Sequence, residues 1–458
     1  MTSWTCNIIL FDTVFDIGGP MMLIYSTQVA CFIVTIGQSL LMASLAEMCS
    51  IWPYAGGQQV FTQKLAPHSA RRFLSYLVGW ILFLGETATA ASCTMNSVQV
   101  IVGVVQITYA NWEATRWLEW LIYTGLTVFA LLLSLSQRHL PGLALIGGFI
   151  VIAGGIAWVI SFLAMAPKHS AEFVFTEFIN NSGYESRGWV GIMSFYTPMY
   201  ALYGTDGILH VTEEMKNPER DAPRAMLWAM IISGTSMFIS GIVMGFCAGD
   251  WEAYMQTDIP YVTWFVDIYH STAGGITLVV IILIVINFLI TVGLNTAASR
   301  LAWGMARDNA LPFSSVFVRI NPKVQTPVNT ILLTAAAQLV IGLVVFGSNY
   351  AFQVIISICL VAIQLGYLIP TLLVVIRGRK LLPTPRAFDL GVAGWPINIF
   401  SVCWCLLVIV MLFFPLYIPV NGANIYNMNW AIVLIAGVIL VVFIDWVLRA
   451  RHHYYYGN

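Results

Sequence analysis

Charge is what this sequence lacks most. Asp, Glu, Lys and Arg together make up 9% of its 458 residues against 59% hydrophobic, and the mean hydropathy is +0.82. No water-soluble core of this length needs such an apolar excess, so a polytopic helical membrane protein is indicated, embedded in a lipid bilayer as one packed unit. The net charge of -1 provides no footprint for a nucleic-acid partner. Eight cysteines lie almost wholly inside apolar runs, with no CxxC pair, and read as small packing residues rather than a disulfide framework or metal site. No nucleophile, metal or acid/base constellation converges in the way an embedded enzyme requires, and no cofactor motif is present. The first residues lack the basic region and small-residue cleavage pattern of a signal peptide.

What is present is a series of apolar runs. A span needs about 20 apolar residues, and by that measure there are eleven complete spans and one short one. The short one, Ser3 to Ile17, carries Asp12 and Asp16 and ends at Gly18-Gly19-Pro20. Span 2 is expected over 21–50, span 3 over 73–109, span 4 over 117–135 and span 5 over 141–166. Span 6 starts near Trp189, and span 7 covers 225–248. A semi-polar interfacial segment, 250–271, precedes span 8 at 273–306; spans 9 to 12 follow at 328–346, 350–376, 396–416 and 430–448.

Span 6 is the stretch around which the others are organised. Its apolar run meets Tyr203-Gly204-Thr205-Asp206-Gly207 at about membrane depth, resumes over Ile208 to Val211 and stops in dense charge. A helix broken in hydrocarbon is tolerated where the freed backbone groups are buried in protein or line a wet cavity, and in transporters such breaks form the substrate site. A carboxylate near the bilayer centre costs roughly 2.5–3.5 kcal/mol on insertion scales, so Asp206 is expected to face a cavity, a proton path or a partner. The alternative is a glycine kink with a capping aspartate. His210, the one histidine close to the break, reads as a cap or packing residue or as a proton relay.

Basic residues set the orientation. With a cytoplasmic amino terminus, the inner loops and tail collect sixteen of the twenty Lys and Arg residues, Arg116, Lys168 and Arg187 fall outside, and Arg300 lies within the inner end of span 8. That asymmetry places both termini in the cytoplasm. A sequon, Asn180-Asn181-Ser182, makes Asn180 a glycosylation candidate in the outer loop between spans 5 and 6.

Four loop motifs then read together: SLAEMCSIWPYAGGQQVFTQKLAP at 44–67, HVTEEMKNPERDAPRAM at 210–226, ASRLAWGMARDNALPFS at 298–314 and NPKVQTPVN at 321–329. In this order they resemble the amino acid/polyamine/organocation permeases, above all the fungal-type branch that carries amino acids, GABA, choline or polyamines. The resemblance covers essentially the whole chain after residue 3. It implies an all-α fold with an inverted repeat of five spans plus five, here 1–166 with an incomplete first span and 189–376, followed by two added spans at 396–448. It also implies alternating access driven by a coupling proton, with spans 1 and 6 unwound at the midplane.

Carried onto this chain, the resemblance makes Tyr203, Gly204, Thr205 and Asp206 the unwound segment, with Tyr200 one turn earlier. Glu86 lies deep in span 3, where the family often has Trp or Gln; the acid points to a cationic substrate or a proton site, and a hydrogen bond to a neighbouring helix is the other reading. Asn287 and Thr291 on span 8 and Gln364 on span 10 are similarly deep, as cavity residues or as helix-to-helix hydrogen bonds. Glu47 and Arg300 are expected to join Glu213, Glu214 and Arg220 in a cytoplasmic gate, unless they are simply solvated helix ends. The family's first half-helix precedes the residues that match Ser3-Trp4, so an upstream glycine-containing half-helix is expected to complete the site, and the chain from Met1 alone is expected to transport poorly.

The expectation is a multi-pass secondary transporter of a small amino acid or amine, without enzyme activity, in the plasma membrane or else the vacuolar membrane. The rival is a transport-inactive sensor or regulator of the same fold.

Overall fold

The computed structural model describes residues 2–11, 29–109, 111–136, 139–176, 180, 182–257, 259–347, 351–422 and 428–454. Among these, ten helices are long and apolar enough to cross a membrane. They are Cys31–Ile51, Arg71–Thr108, Arg116–Ser134 and Leu140–Met165 as spans 2 to 5, and Pro218–Phe246, Thr272–Arg307, Val328–Gly347, Gln353–Arg377, Gly391–Phe413 and Ala431–His453 as spans 7 to 12. The protein is an all-α, polytopic membrane protein, as its apolar runs require: in lipid each backbone amide must find its partner within the segment. The end of the first span, with Asp12, Asp16 and Gly18-Gly19-Pro20, and the start of span 2 lie outside the described residues.

Two boundaries differ from expectation for local reasons. Span 7 begins at Pro218 rather than near Ala225, because proline is preorganised for a first helical turn and the polar residues after it wind into helix below the apolar segment. The interfacial segment is two helices, Trp251–Tyr254 and Pro260–Ile268, separated by a turn. Span 3, with 38 residues, is about 57 Å long at 1.5 Å per residue, well beyond the hydrocarbon core of about 30 Å.

Span 3 is the central post, packed along span 10 on one side and span 8 on another. Its contact with span 10 is reciprocal. A Cβ on Gly85 would meet the Ile363 side chain at 2.6 Å, and a Cβ on Gly366 would meet Leu82 at 2.4 Å, so each helix opens a notch for a large residue of the other. Between helices in lipid, where apolar burial brings no gain over lipid contact, close packing of this kind holds the pair. Ser3–Ile9 docks through Asn7, which donates to Met237 O at 3.0 Å and Ser240 Oγ at 2.8 Å on span 7. Around it Trp4 stacks on Trp158 at 5.8 Å and Phe11 packs on Trp264 at 4.9 Å.

The loops sort to two ends. At one, Ile418 N donates to Ser182 O at 2.9 Å, joining the loop before span 6 to the loop after span 11. At the other lie the arginine-rich contacts: Arg377 on Leu65 O, Arg72 on the carbonyls of Arg451 and Tyr454, and Arg449 on Asp445 and on Ala310 O.

Candidate functional site

Span 6 is three helical pieces, Arg187–Met193, Tyr196–Leu202 and Gly207–His210. The chain leaves helix at Tyr203, and Gly204 has φ +86°, a left-handed conformation that glycine adopts without a Cβ penalty. Cβ atoms built on Gly204 and Gly207 would lie 3.5 Å from Leu294 and 3.5 Å from Ala297, so the break faces span 8.

Around the break the polar residues divide into two groups. In the first, Tyr203 donates to Gln364 Oε1 at 2.7 Å, and Gln38 of span 2 donates to the same oxygen at 3.4 Å. Tyr200 is one turn away and pairs with Ser92 of span 3 at 2.9 Å. In the second, Glu86, Asp206 and His210 are each 0% exposed, and their ligand atoms lie within 4.8 Å of one another. Gln58, the first residue of the short helix Gln58–Leu65 that follows span 2, donates to Asp206 Oδ2 at 3.2 Å. His210 donates from Nδ1 to Ala55 O at 2.8 Å, which fixes the neutral ring as the Nδ1–H tautomer, since a carbonyl only accepts. Both Glu86 oxygens, Asp206 Oδ1 and His210 Nε2 are buried without a hydrogen-bond partner. Thr205 is half-buried, its hydroxyl 3.5 Å from Leu202 O.

Other residues that the sequence pointed to lie elsewhere. Asn287 donates to Asn96 of span 3 at 2.5 Å, and Thr291 donates to Asn287 O one turn back. Both sit one to two turns along span 8 from Leu294, which faces the break, and their hydrogen bonds are of the helix-joining and backbone kind. Asn180 donates to Tyr184 O at 2.6 Å and accepts from Ser182 Oγ at 2.5 Å in the loop before span 6.

The residues expected to form one gate fall into two separate clusters. Arg300 donates to Glu214 at 2.8 Å, while Glu213 is held by Arg307 at 2.6 Å and by the Ala55 amide at 2.9 Å. Arg220 is exposed on the first turn of span 7. Glu47 does not join this group. It points from the end of span 2 to the loop after span 10, where Arg379 grips both its oxygens at 2.8 Å and Arg386 and the Leu390 amide add 2.8 and 3.1 Å contacts. Beside it the Gly391 amide, and then the Arg386 guanidinium, hold the Asp389 carboxyl below the usual carboxylate range. That stabilisation is present above the ordinary carboxylate range and is lost as pH falls through the lowered value.

Tyr367, whose ring lies 6.2 Å from that of Tyr203, and the partners Gln58, Gln38, Ser92, Arg307, Arg379 and Arg386 were not among the residues that the sequence pointed to. The GGQQ tetrad at 56–59 was the available signal for Gln58: paired amides after two glycines, in a loop too apolar on either side to be merely solvated.

The amino acid permease family model matches residues 8–439. The chain belongs to that family. Similar proteins include a choline transporter of Saccharomyces cerevisiae, 29% identical over 446 residues that cover 96% of this chain and 77% of the relative. A putative amino acid/polyamine transporter of Macrophomina phaseolina is 29% identical over 434 residues, 93% of this chain and 94% of the relative. The amino-acid permease BAT1 of Arabidopsis thaliana is 26% identical over 471 residues, 96% and 87%. The permease is accordingly a multi-pass membrane transporter of amino acids or organic cations and not an enzyme.

Proposed function

We propose that this permease is a secondary active transporter of a small nitrogenous solute, an amino acid, GABA, choline or a polyamine, coupled to protons and working by alternating access. The observation that carries the reading is the break at 203–206: a turn made possible by Gly204, lined by Tyr203, Gln364 and Tyr200, with two carboxylates buried below it. Residues 1–166 and 189–376 act as the inverted halves, and 396–448 packs outside them. The permease sits in the plasma membrane, or the vacuolar membrane, with both termini in the cytoplasm. Labelled choline, GABA, putrescine and an amino acid panel, offered to cells lacking their own permeases, test this. Saturable uptake that needs a gradient is expected, and binding without flux would make the protein a sensor.

Orientation has its own test. Ser182, in the outer loop, is 1% exposed and unsuited to labelling, whereas Glu185 and Thr384 are exposed at opposite ends. With exposed Cys403 replaced by serine, Glu185→Cys is expected to react with an impermeant thiol reagent on intact cells and Thr384→Cys only after permeabilisation. The opposite pattern would invert the topology.

The Arg300–Glu214 pair, its arginine side chain 5% exposed, closes the inner side in this reading. Arg300→Glu is expected to suppress initial uptake rates by about tenfold or more, since the contact between a buried arginine and a partly exposed glutamate becomes a repulsion. Adding Glu214→Arg is expected to restore part of the rate. A double variant no better than the single one would remove the pair from the gate.

A further inference from the structure

We infer that Glu86 and Asp206 share one exchangeable proton and that His210 is its exit, so that these three residues are the coupling site, distinct from the organic solute's position beside Tyr203 and Gln364. The inference rests on the transport reading above. Three features of the cluster lead to it. Two carboxylates lie side by side at 0% exposure with three of their four oxygens unpartnered, and among the described residues no lysine or arginine pairs with either. Two adjacent acids in such a place cannot both carry charge without a cation between them. The space fits only a small one: with ligand atoms within 4.8 Å of one another, a methylated ammonium, whose carbons need contacts of about 3.5–4.0 Å on each side, does not fit between them.

The remaining choice is a proton or a metal ion. The groups facing the acids from the surrounding elements are Tyr203 and His210 from span 6 itself, Tyr367 and Cys359 from span 10, and the neutral amide of Gln58 from the inner loop; span 8 presents Leu294 and Ala297 to the same break. Apart from one imidazole, these are hydroxyl, thiol and amide groups suited to surrounding a protonated acid, and the set offers a metal only three strong ligands. His210 adds direction. Its Nδ1–H is tied to Ala55 O, in the loop that also supplies Gln58 to Asp206 and an amide to Glu213. When that loop withdraws, His210 takes the shared proton on Nε2, becomes imidazolium and releases one proton to the inner aqueous side, leaving the Glu86–Asp206 pair ready to be refilled from outside. One proton enters and one leaves.

The test uses the full chain, purified and reconstituted in liposomes. Infrared difference spectra between acid and alkaline buffer, in water and heavy water, are expected to show a buried carboxylic acid band in the wild type that disappears in Glu86→Gln and equally in Asp206→Asn. His210→Gln, which leaves both acids in place, is expected to keep the band and serves as a folded control. A band that persists in both acid variants, or is lost in only one of them, would overturn the shared proton. Stoichiometric binding of zinc chloride that vanishes in Glu86→Gln would overturn it in favour of a metal site. Flux is read separately with labelled choline and amino acids: in Glu86→Gln the flux that remains is expected not to respond to an imposed pH gradient. Absence of wild-type flux for every solute would defeat the transport reading, while the infrared result still decides the proton site.

Discussion

Asp206→Asn is expected to leave the permease folded and inserted while removing most or all solute uptake. Asparagine has the same shape, and its amide oxygen can still accept the hydrogen bond that Gln58 donates to Asp206 Oδ2 at 3.2 Å, so the contact between the break and the segment after span 2 survives. What is lost is the charge and the proton it can hold. Because the solute's place is beside Tyr203 and Gln364 rather than on this acid, the loss falls on coupling, and proton-driven initial uptake is expected to fall by roughly tenfold or more. Without the coupling proton, accumulation against a gradient stops altogether. The measurement is initial uptake normalised to surface protein, with gel filtration of the solubilised variant as the folding control. Wild-type kinetics would reduce Asp206 to a residue that begins the Gly207–His210 turn and would take the coupling site with it.

How much of this was legible in the sequence depends on the range of the interaction concerned. Apolar runs of span length announce membrane helices because the bilayer imposes both their length and their helicity, and Tyr203-Gly204-Thr205-Asp206 announces a break because glycine and a midplane acid are locally incompatible with an ordinary span. Neither inference requires knowing what lies opposite. The adjacency of Glu86, Asp206 and His210 does require it, since 120 residues separate the first two (206 − 86). Only the packing of span 3 against the break brings them together. Glu47 and Arg300 illustrate the same limit from the other direction. Both are single charges near helix ends, yet one turns to the loop after span 10 and the other to the charged turn after span 6. The basic-residue bias from which orientation is expected is blind to this, because it counts charges by side and says nothing of partners.

Glu47→Gln is expected to have the largest effect on stability, and by a different route from Asp206→Asn. Glu47 is 0% exposed, and the side chains of Arg379 and Arg386 are 9% exposed. The carboxylate accepts two parallel bonds from Arg379 at 2.8 Å each, a third from Arg386 and a fourth from the Leu390 amide. Arg379 in turn donates to Asn398 at 2.5 Å, and Asn398 donates to Ser44 at 2.6 Å, so the end of span 2, the loop 378–391 and the start of span 11 are tied through one acid. Glutamine keeps the shape but offers a single acceptor oxygen and no charge, leaving two guanidinium groups in a space built for neutralised ones. Breaking a buried pair from one side costs about 3–5 kcal/mol, because the surviving charge stays desolvated. Most of the protein is then expected to fail as a monodisperse peak in detergent, with a lowered thermal midpoint for the remainder. Glu47→Gln/Arg379→Met removes a charge of each sign and is expected to lose less than the sum of the two single variants, as groups in one network do. A single variant as stable as the wild type would mean that the arginines find water at this end of the molecule, and that the loop 378–391 is held by something other than Glu47.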